Sequence, residues 1–169
     1  ALVSLFIAGN AFAQPFTYTY VPSDAVLNAP VTTDLAIVGY SGGTYNDDLT
    51  RNFTGPSSPT VAITAGADIA PAEVFNHSIV NVTGGSVGAD LYDNTTINIA
   101  GGSLPFAQSF DFAEINVTGG TLSLYGQGRH VSVKGGTIEV LFANTNTDFS
   151  GTTLGSCIVD VTGGTFTVL

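Results

Sequence analysis

The chain has no Met, no Trp and a single cysteine, and only 3 of its 169 residues are basic. With Cys157 alone, no intrachain disulfide can form, so packing and hydrogen bonds must supply the stability. Thirteen acids against three bases give a formal charge of −10, which excludes the basic face that nucleic acid or an anionic membrane demands. Charged residues make up 9% of the chain, against about 25% in an ordinary globular domain. Thr, Ser, Asn and Gly must therefore build the surface. Long apolar runs are also lacking, and nothing is long enough for a transmembrane helix. The first thirteen residues, ending Ala11-Phe12-Ala13, have the length of a signal-peptide apolar core with a small-x-small cleavage site, and cleavage is expected before Gln14.

What is abundant is glycine, 21 residues, and it recurs in a pattern. Val80-Asn81-Val82-Thr83-Gly84-Gly85-Ser86-Val87 returns as Ile97-Asn98-Ile99-Ala100-Gly101-Gly102-Ser103-Leu104 and as Ile115-Asn116-Val117-Thr118-Gly119-Gly120-Thr121-Leu122. Two further copies are Val131-Ser132-Val133-Lys134-Gly135-Gly136-Thr137-Ile138 and Val159-Asp160-Val161-Thr162-Gly163-Gly164-Thr165-Phe166. Their first glycines stand 17, 18, 16 and 28 residues apart, and a degenerate copy from Val61 to Ile69 precedes them by 18. Self-similarity at a fixed short period is the mark of a repeat architecture.

In each copy, apolar and polar residues alternate before Gly-Gly, as in Val80/Val82 and Ile115/Val117, which is the pattern of a half-buried strand. A second alternating strand is expected after it: Val87/Ala89, Leu104/Phe106, Leu122/Leu124, Ile138/Val140 and Phe166/Val168. Glycine between the strands supplies unusual backbone angles and lets neighbouring coils approach without a Cβ. A unit of 16–18 residues is too small for a domain but suits one coil of a solenoid. The sequence thus predicts an all-β protein, a single-stranded β-solenoid (β-helix) whose six coils would make a rod on the order of 30 Å long. The return segments are expected to carry a short third strand using Leu91 or Phe110/Phe112. Residues 144–156 should protrude as an insertion. Residues 14–58, with Pro15, Pro22, Pro30 and Pro56, lack the repeat and are read as an irregular N-terminal β cap. The solenoid itself is assigned to 59–169, and its coils are expected to continue past Leu169.

The alternation directs one polar column outward: Asn81, Asn98, Asn116, Ser132 and Asp160, beside Thr83, Ala100, Thr118, Lys134 and Thr162. Asn81, Thr83, Asn98, Asn116, Thr118, Ser132, Asp160 and Thr162 form the candidate binding ladder, because stacked Asn and Thr hydrogen-bond along a solvated β face.

The run Ser58-Pro59-Thr60-Val61, leading into the copy from Val80 to Tyr92 and then Asn94-Thr95-Thr96-Ile97-Asn98-Ile99, resembles a group of bacterial surface proteins. These are secreted Gly-Gly-repeat proteins of environmental Gram-negative bacteria, often with a PEP-CTERM sorting tail, and autotransporter-like in style. The resemblance spans residues 35–169 and implies export and retention at the cell surface.

Catalytic chemistry finds little footing. Asp90, Asp93, Asp111 and Glu114, with Arg129, His130 and Lys134, are the groups a solenoid polysaccharide lyase or hydrolase would need, and Asp93 and Asp111 are spaced to stack on adjacent coils. They read better as solvated residues of the return segments. His77 and His130 lack metal-ligand spacing, and Gly84-Gly85-Ser86-Val87 departs from the calcium nonapeptide at its fourth position. The sequons at Asn52, Asn76, Asn81, Asn94 and Asn116 largely follow from the repeat itself. Cys157 is open to three readings, a free thiol, an interchain link or, as is commoner, a small buried hydrophobe. The expectation is a non-enzymatic, secreted or cell-surface structural or adhesive rod, with no cofactor and no metal, that meets an extracellular polysaccharide. The alternatives are a glycan- or ice-binding module using the ladder, and a polysaccharide lyase. Ala100 and Lys134 interrupt any regular ice-matching array.

Overall fold

In a computed structural model of the chain, residues 17–45, 50–126, 129–143, 145–147 and 153–167 are described. The proposed signal segment and Val168 lie outside them. The strands are β1 (Tyr18–Val21), β2 (Ala25–Leu27), β3 (Leu35–Val38), β4 (Gly42–Tyr45), β5 (Arg51–Thr54), β6 (Thr60–Ile63), β7 (Asp68–Val74), β8 (Ile79–Val82) and β9 (Ser86–Leu91). They continue as β10 (Thr96–Ile99), β11 (Ser103–Ser109), β12 (Glu114–Val117), β13 (Thr121–Gly126), β14 (His130–Val133) and β15 (Thr137–Ala143). The last four are β16 (Thr145–Thr147), β17 (Thr153–Ser156), β18 (Ile158–Val161) and β19 (Thr165–Phe166).

Two parallel sheets face each other. Sheet A has eight strands in the order β1-β3-β7-β9-β11-β13-β15-β19, and sheet B has seven, β18-β14-β12-β10-β8-β6-β2. The chain alternates between them, so each Gly-Gly copy supplies a sheet B strand, a corner and a sheet A strand. The result is a β-solenoid of about six turns. Equivalent residues of successive copies stand in register: Val80, Ile97, Ile115, Val131 and Val159 form one column. Between the sheets these residues meet Ile69, Val87, Leu104, Leu122 and Ile138 in one core, almost all of it fully buried. A rod made this way can be thin because every coil buries its apolar side chains against two neighbours.

The corner at Gly119-Gly120 shows why two glycines are needed. Gly120 takes φ +89°, which a side chain rarely tolerates, and a Cβ there would stand 2.9 Å from the Gly102 carbonyl oxygen one coil below. Gly119 has no such φ, but a Cβ on it would collide with the Ala100 carbonyl. The first glycine serves coil-to-coil approach and the second serves backbone shape.

The structure departs from the sequence reading in four places. The described residues of the 14–58 segment do not form a wholly irregular cap: β1 and β3 join sheet A and β2 joins sheet B, all parallel, so the stacking begins earlier. These strands lack the Gly-Gly corner, which is why the repeat did not reveal them. Second, the return path carries no third strand among the described residues. Sheet A strands are long instead, and short turns with positive φ at Asn76, Asp93 and Asp111 return to sheet B. Third, Phe106 and Val140 do not continue the inward alternation. The register shifts after Ile69, after Leu104 and within β15, so Ala72, Ala107 and Leu141 turn inward. Pro71 and Pro105 sit at the first two shifts, where a residue without an N–H is tolerated. Phe106 is thereby left on the outer face, lying over Gly88, where any Cβ would strike its ring. Fourth, the insertion includes an antiparallel pair, β16 with β17, and its remaining residues lie outside the described set.

Candidate functional site

The outer face of sheet B carries a polar column. Asn81, Asn98, Asn116, Ser132 and Asp160 are register partners, so the expected column exists. The amide of Asn98 donates to Asn81 Oδ1 at 2.9 Å, and that of Asn116 donates to Asn98 Oδ1 at 3.1 Å. Asn98 thus both donates and accepts within the column, which leaves it one amide N–H and one lone pair for other partners. Thr83, Thr118 and Thr162 are exposed beside the column. The hydroxyls of Thr83 and Thr118 donate back to the carbonyls of Ile63 and Ile99 at 3.4 and 3.2 Å. Ser132 is less available than the alternation implied, being buried to 8% exposure. At the far end His130 Nε2 stands 2.9 Å from Asp160 Oδ2, with Glu114 the register neighbour of His130.

The acids and bases weighed as lyase machinery do not gather in one place, although Glu114 and His130 are register neighbours. Glu114 and His130 are on sheet B, Asp90 is on sheet A, and Lys134 is at a corner. Asp93 and Asp111 do stack on adjacent turns, where both act on the backbone. Asp93 Oδ2 accepts from the Asn76 N–H at 2.8 Å, and Asp111 Oδ2 accepts from the Asp93 N–H at 3.1 Å. This capping ladder accounts for acidic residues in a left-handed conformation, which Asn and Asp adopt more readily than most. Among the described residues, no group of three or more His, Cys, Asp or Glu could hold a metal ion. No helix of the described residues is long and apolar enough to cross a membrane.

A second polar cluster went unrecognised in the sequence. The antiparallel hairpin of β4 and β5 folds over the outer face of sheet A. Beneath it Leu35, Ile37, Phe75 and Tyr92 are buried, packed with Tyr20, Tyr40, Tyr45, Phe53 and Phe110. Because β3 also feeds the inner core through Ala36 and Val38, it is apolar at every position, Leu-Ala-Ile-Val. Phe75, Tyr92 and Phe110 stack as a ladder, with centroids 5.0 and 5.1 Å apart and planes tilted by 10° and 3°. The Arg51 guanidinium carbon lies 3.9 Å from the Tyr92 ring centre and 4.6 Å from that of Phe75.

Two carboxylates border this cluster. Glu73 and Asp90 are register partners on adjacent coils, half-buried on the outer face of sheet A. The Tyr45 hydroxyl donates to Glu73 Oε2. Burial raises the Glu73 carboxyl, with the Tyr45 bond and Arg51 opposing. Asp90 is pushed up to about 6, first by burial and then by the Glu73 charge. Burial also raises the Tyr92 and Tyr45 hydroxyls. One signal could have exposed the cluster: Phe75, Tyr92 and Phe110 recur at the repeat spacing of 17 and 18.

A 10 Å³ void inside the core, lined by Val61, Ile63, Val80 and Val87 among others, is too small and too apolar for a ligand. Comparison with protein-family models, with curated proteins and with solved structures gives no match.

Proposed function

We propose that this protein is a non-enzymatic structural and adhesive rod of the cell exterior, which meets extracellular polysaccharide through the outer face of sheet B. The observation that carries the reading is the Asn81–Asn98–Asn116 amide chain. It links three side chains at the spacing of the coils, so less side-chain entropy remains to be lost on contact. A row of amides and hydroxyls suits the hydroxyl array of a glycan surface. The paucity of lysine and arginine disfavours polyanionic partners. Separation of Asp90 on sheet A from Glu114 and His130 on sheet B favours binding over turnover. Export, and surface retention of the kind that PEP-CTERM or autotransporter-like proteins undergo, belong to the same proposal and rest on the apolar segment at residues 1–13 and the repeat style. Co-sedimentation with a panel of insoluble polysaccharides, followed by assay for new reducing ends and unsaturated products, tests it. Adsorption that weakens severalfold in Asn98→Leu, without product, is expected. Product formation, or adsorption indifferent to Asn98, would overturn it.

A further inference from the structure

We propose that the outer face of sheet A carries a binding site for an uncharged polysaccharide, built by Asp90, Gln108 and Tyr125 on three successive coils. It lies on the side of the rod opposite the Asn column and does not rest on the reading of sheet B.

Register brings the residues together. Glu73, Asp90, Gln108 and Tyr125 are partners along β7, β9, β11 and β13, so they stand in one row across the strands, about 4.8 Å apart in backbone from one to the next. Asp90, Gln108 and Tyr125 face outward, because Ala89, Leu91, Ala107 and Leu124 beside them turn into the core. The β4–β5 hairpin fills the first part of this row and stops: its packing reaches Tyr92 and Phe110, while Tyr125 keeps 37% exposure. Among the described residues, the Asp90 carboxylate, the Gln108 amide and the Tyr125 hydroxyl have no hydrogen-bond partner, although Asp90 and Gln108 are half-buried. Polar groups held this way have already given up part of their water, so a ligand rich in hydroxyls meets them at little further desolvation cost.

The hairpin shows what chemistry this face accepts. It places a hydroxyl, that of Tyr45, on Glu73, and a flat group, the Arg51 guanidinium, 3.9 Å from the Tyr92 ring centre. A pyranose offers the same pair of features, hydroxyls at its edge and a C–H surface on its face. On the uncovered part of the row the sugar face lies on the Tyr125 ring, beside the exposed Val140. Its hydroxyls meet the Gln108 amide, which donates and accepts, and the Asp90 carboxylate, which accepts. From Asp90 to Tyr125 the row spans about 10 Å, which suits a chain of sugars rather than a single ring. Charge decides the class: the row holds two carboxylates and no cation of its own, so uronates and sulfated sugars are disfavoured.

Native-gel affinity electrophoresis tests the site, with xyloglucan, galactomannan or a mixed-linkage β-glucan in the gel and alginate as the anionic control. Asn98→Leu serves as the parent protein, which separates this face from that of sheet B. The parent should be retarded by at least one neutral polysaccharide and not by alginate. Tyr125→Ala and Gln108→Leu should each weaken that retardation by about fivefold to tenfold, with urea melts showing that both variants remain folded. Tyr125→Phe, which keeps the ring, should restore most of it. No retardation of the parent by any of the three, retardation by alginate alone, or both Tyr125→Ala and Gln108→Leu behaving as the parent would each overturn the proposal. Retardation equal in wild type and Asn98→Leu, yet lost in Tyr125→Ala, would support this site and count against the sheet B reading alone.

Discussion

Replacing Gly120 by alanine should cost about 2–3 kcal/mol, although it adds one methyl group at a partly exposed corner. The residue sits at φ +89°, where an L side chain meets its own backbone, a strain worth about 1–3 kcal/mol. The new Cβ would also stand 2.9 Å from the Gly102 carbonyl oxygen and 3.2 Å from the Gly101 carbonyl carbon. The Gly102 oxygen cannot retreat cheaply, because it accepts the Thr121 N–H at 3.0 Å, and the corner is held from the other side by the Thr137 N–H on Gly120 O at 2.7 Å. Opening the corner by a few tenths of an ångström therefore loosens ladder bonds on both sides. Gly119→Ala should cost about 1–3 kcal/mol by crowding alone, since its φ is ordinary but its Cβ would meet the Ala100 carbonyl. Asn at 120 should be cheaper than Val, because Asn accepts positive φ more readily and a β-branched side chain does not. Urea melts of Gly119→Ala, Gly120→Ala, Gly120→Asn and Gly120→Val measure the series. A Gly120→Ala midpoint indistinguishable from wild type, or Val no worse than Asn, would refute the reasoning.

Val117→Asp should be the most damaging single change in its coil, because it places an unpaired charge in a core position of 1% exposure; Asn116→Ser should cost about 1 kcal/mol, and denaturant melts should rank them in that order. Phe106→Ala should destabilise by about 1–2 kcal/mol by uncovering Gly88 and neighbouring sheet, and the double variant Gly88→Ala/Phe106→Ala should be less harmful than the two single costs added, as a thermodynamic cycle would show. Hydrogen bonds from Thr17 hold the Asp34 carboxyl below its usual range, so this contact exists above the ordinary carboxylate value and is lost as pH falls through the lowered one. Exchange of the β1 amides should accordingly quicken in strong acid, and Asp34→Asn should remove that change.

The coil was legible because Gly-Gly marks one corner in five copies and the two residues flanking each Asn are branched aliphatics that stay inside. The same alternation placed Asn81, Asn98 and Asn116 together correctly. It failed where the period of two is broken. Pro71 and Pro105 remove a ladder donor and each accompanies one extra residue, which turns Phe106 out and Ala107 in. Ala72 and Ala107 are small apolar residues that read equally well on either face. Residues 14–58 hid their strands for a different reason: stacking needs register and apolar faces, not the Gly-Gly corner. The Glu73–Asp90 cluster was hidden because it depends on a hairpin folding back over the sheet, a contact of long sequence separation between Arg51 and Tyr92 that no periodicity announces.

The molecule is a stack of parallel coils with the Asn column outside. Nuclear Overhauser contacts in a labelled sample report this most directly. The side-chain amide of Asn98 should lie close to those of Asn81 and Asn116, and backbone contacts should link Ile97 to Val80 and Ile115. Contacts joining Thr96–Ile99 antiparallel to Ser103–Ser109, as sequential hairpins would give, would contradict it.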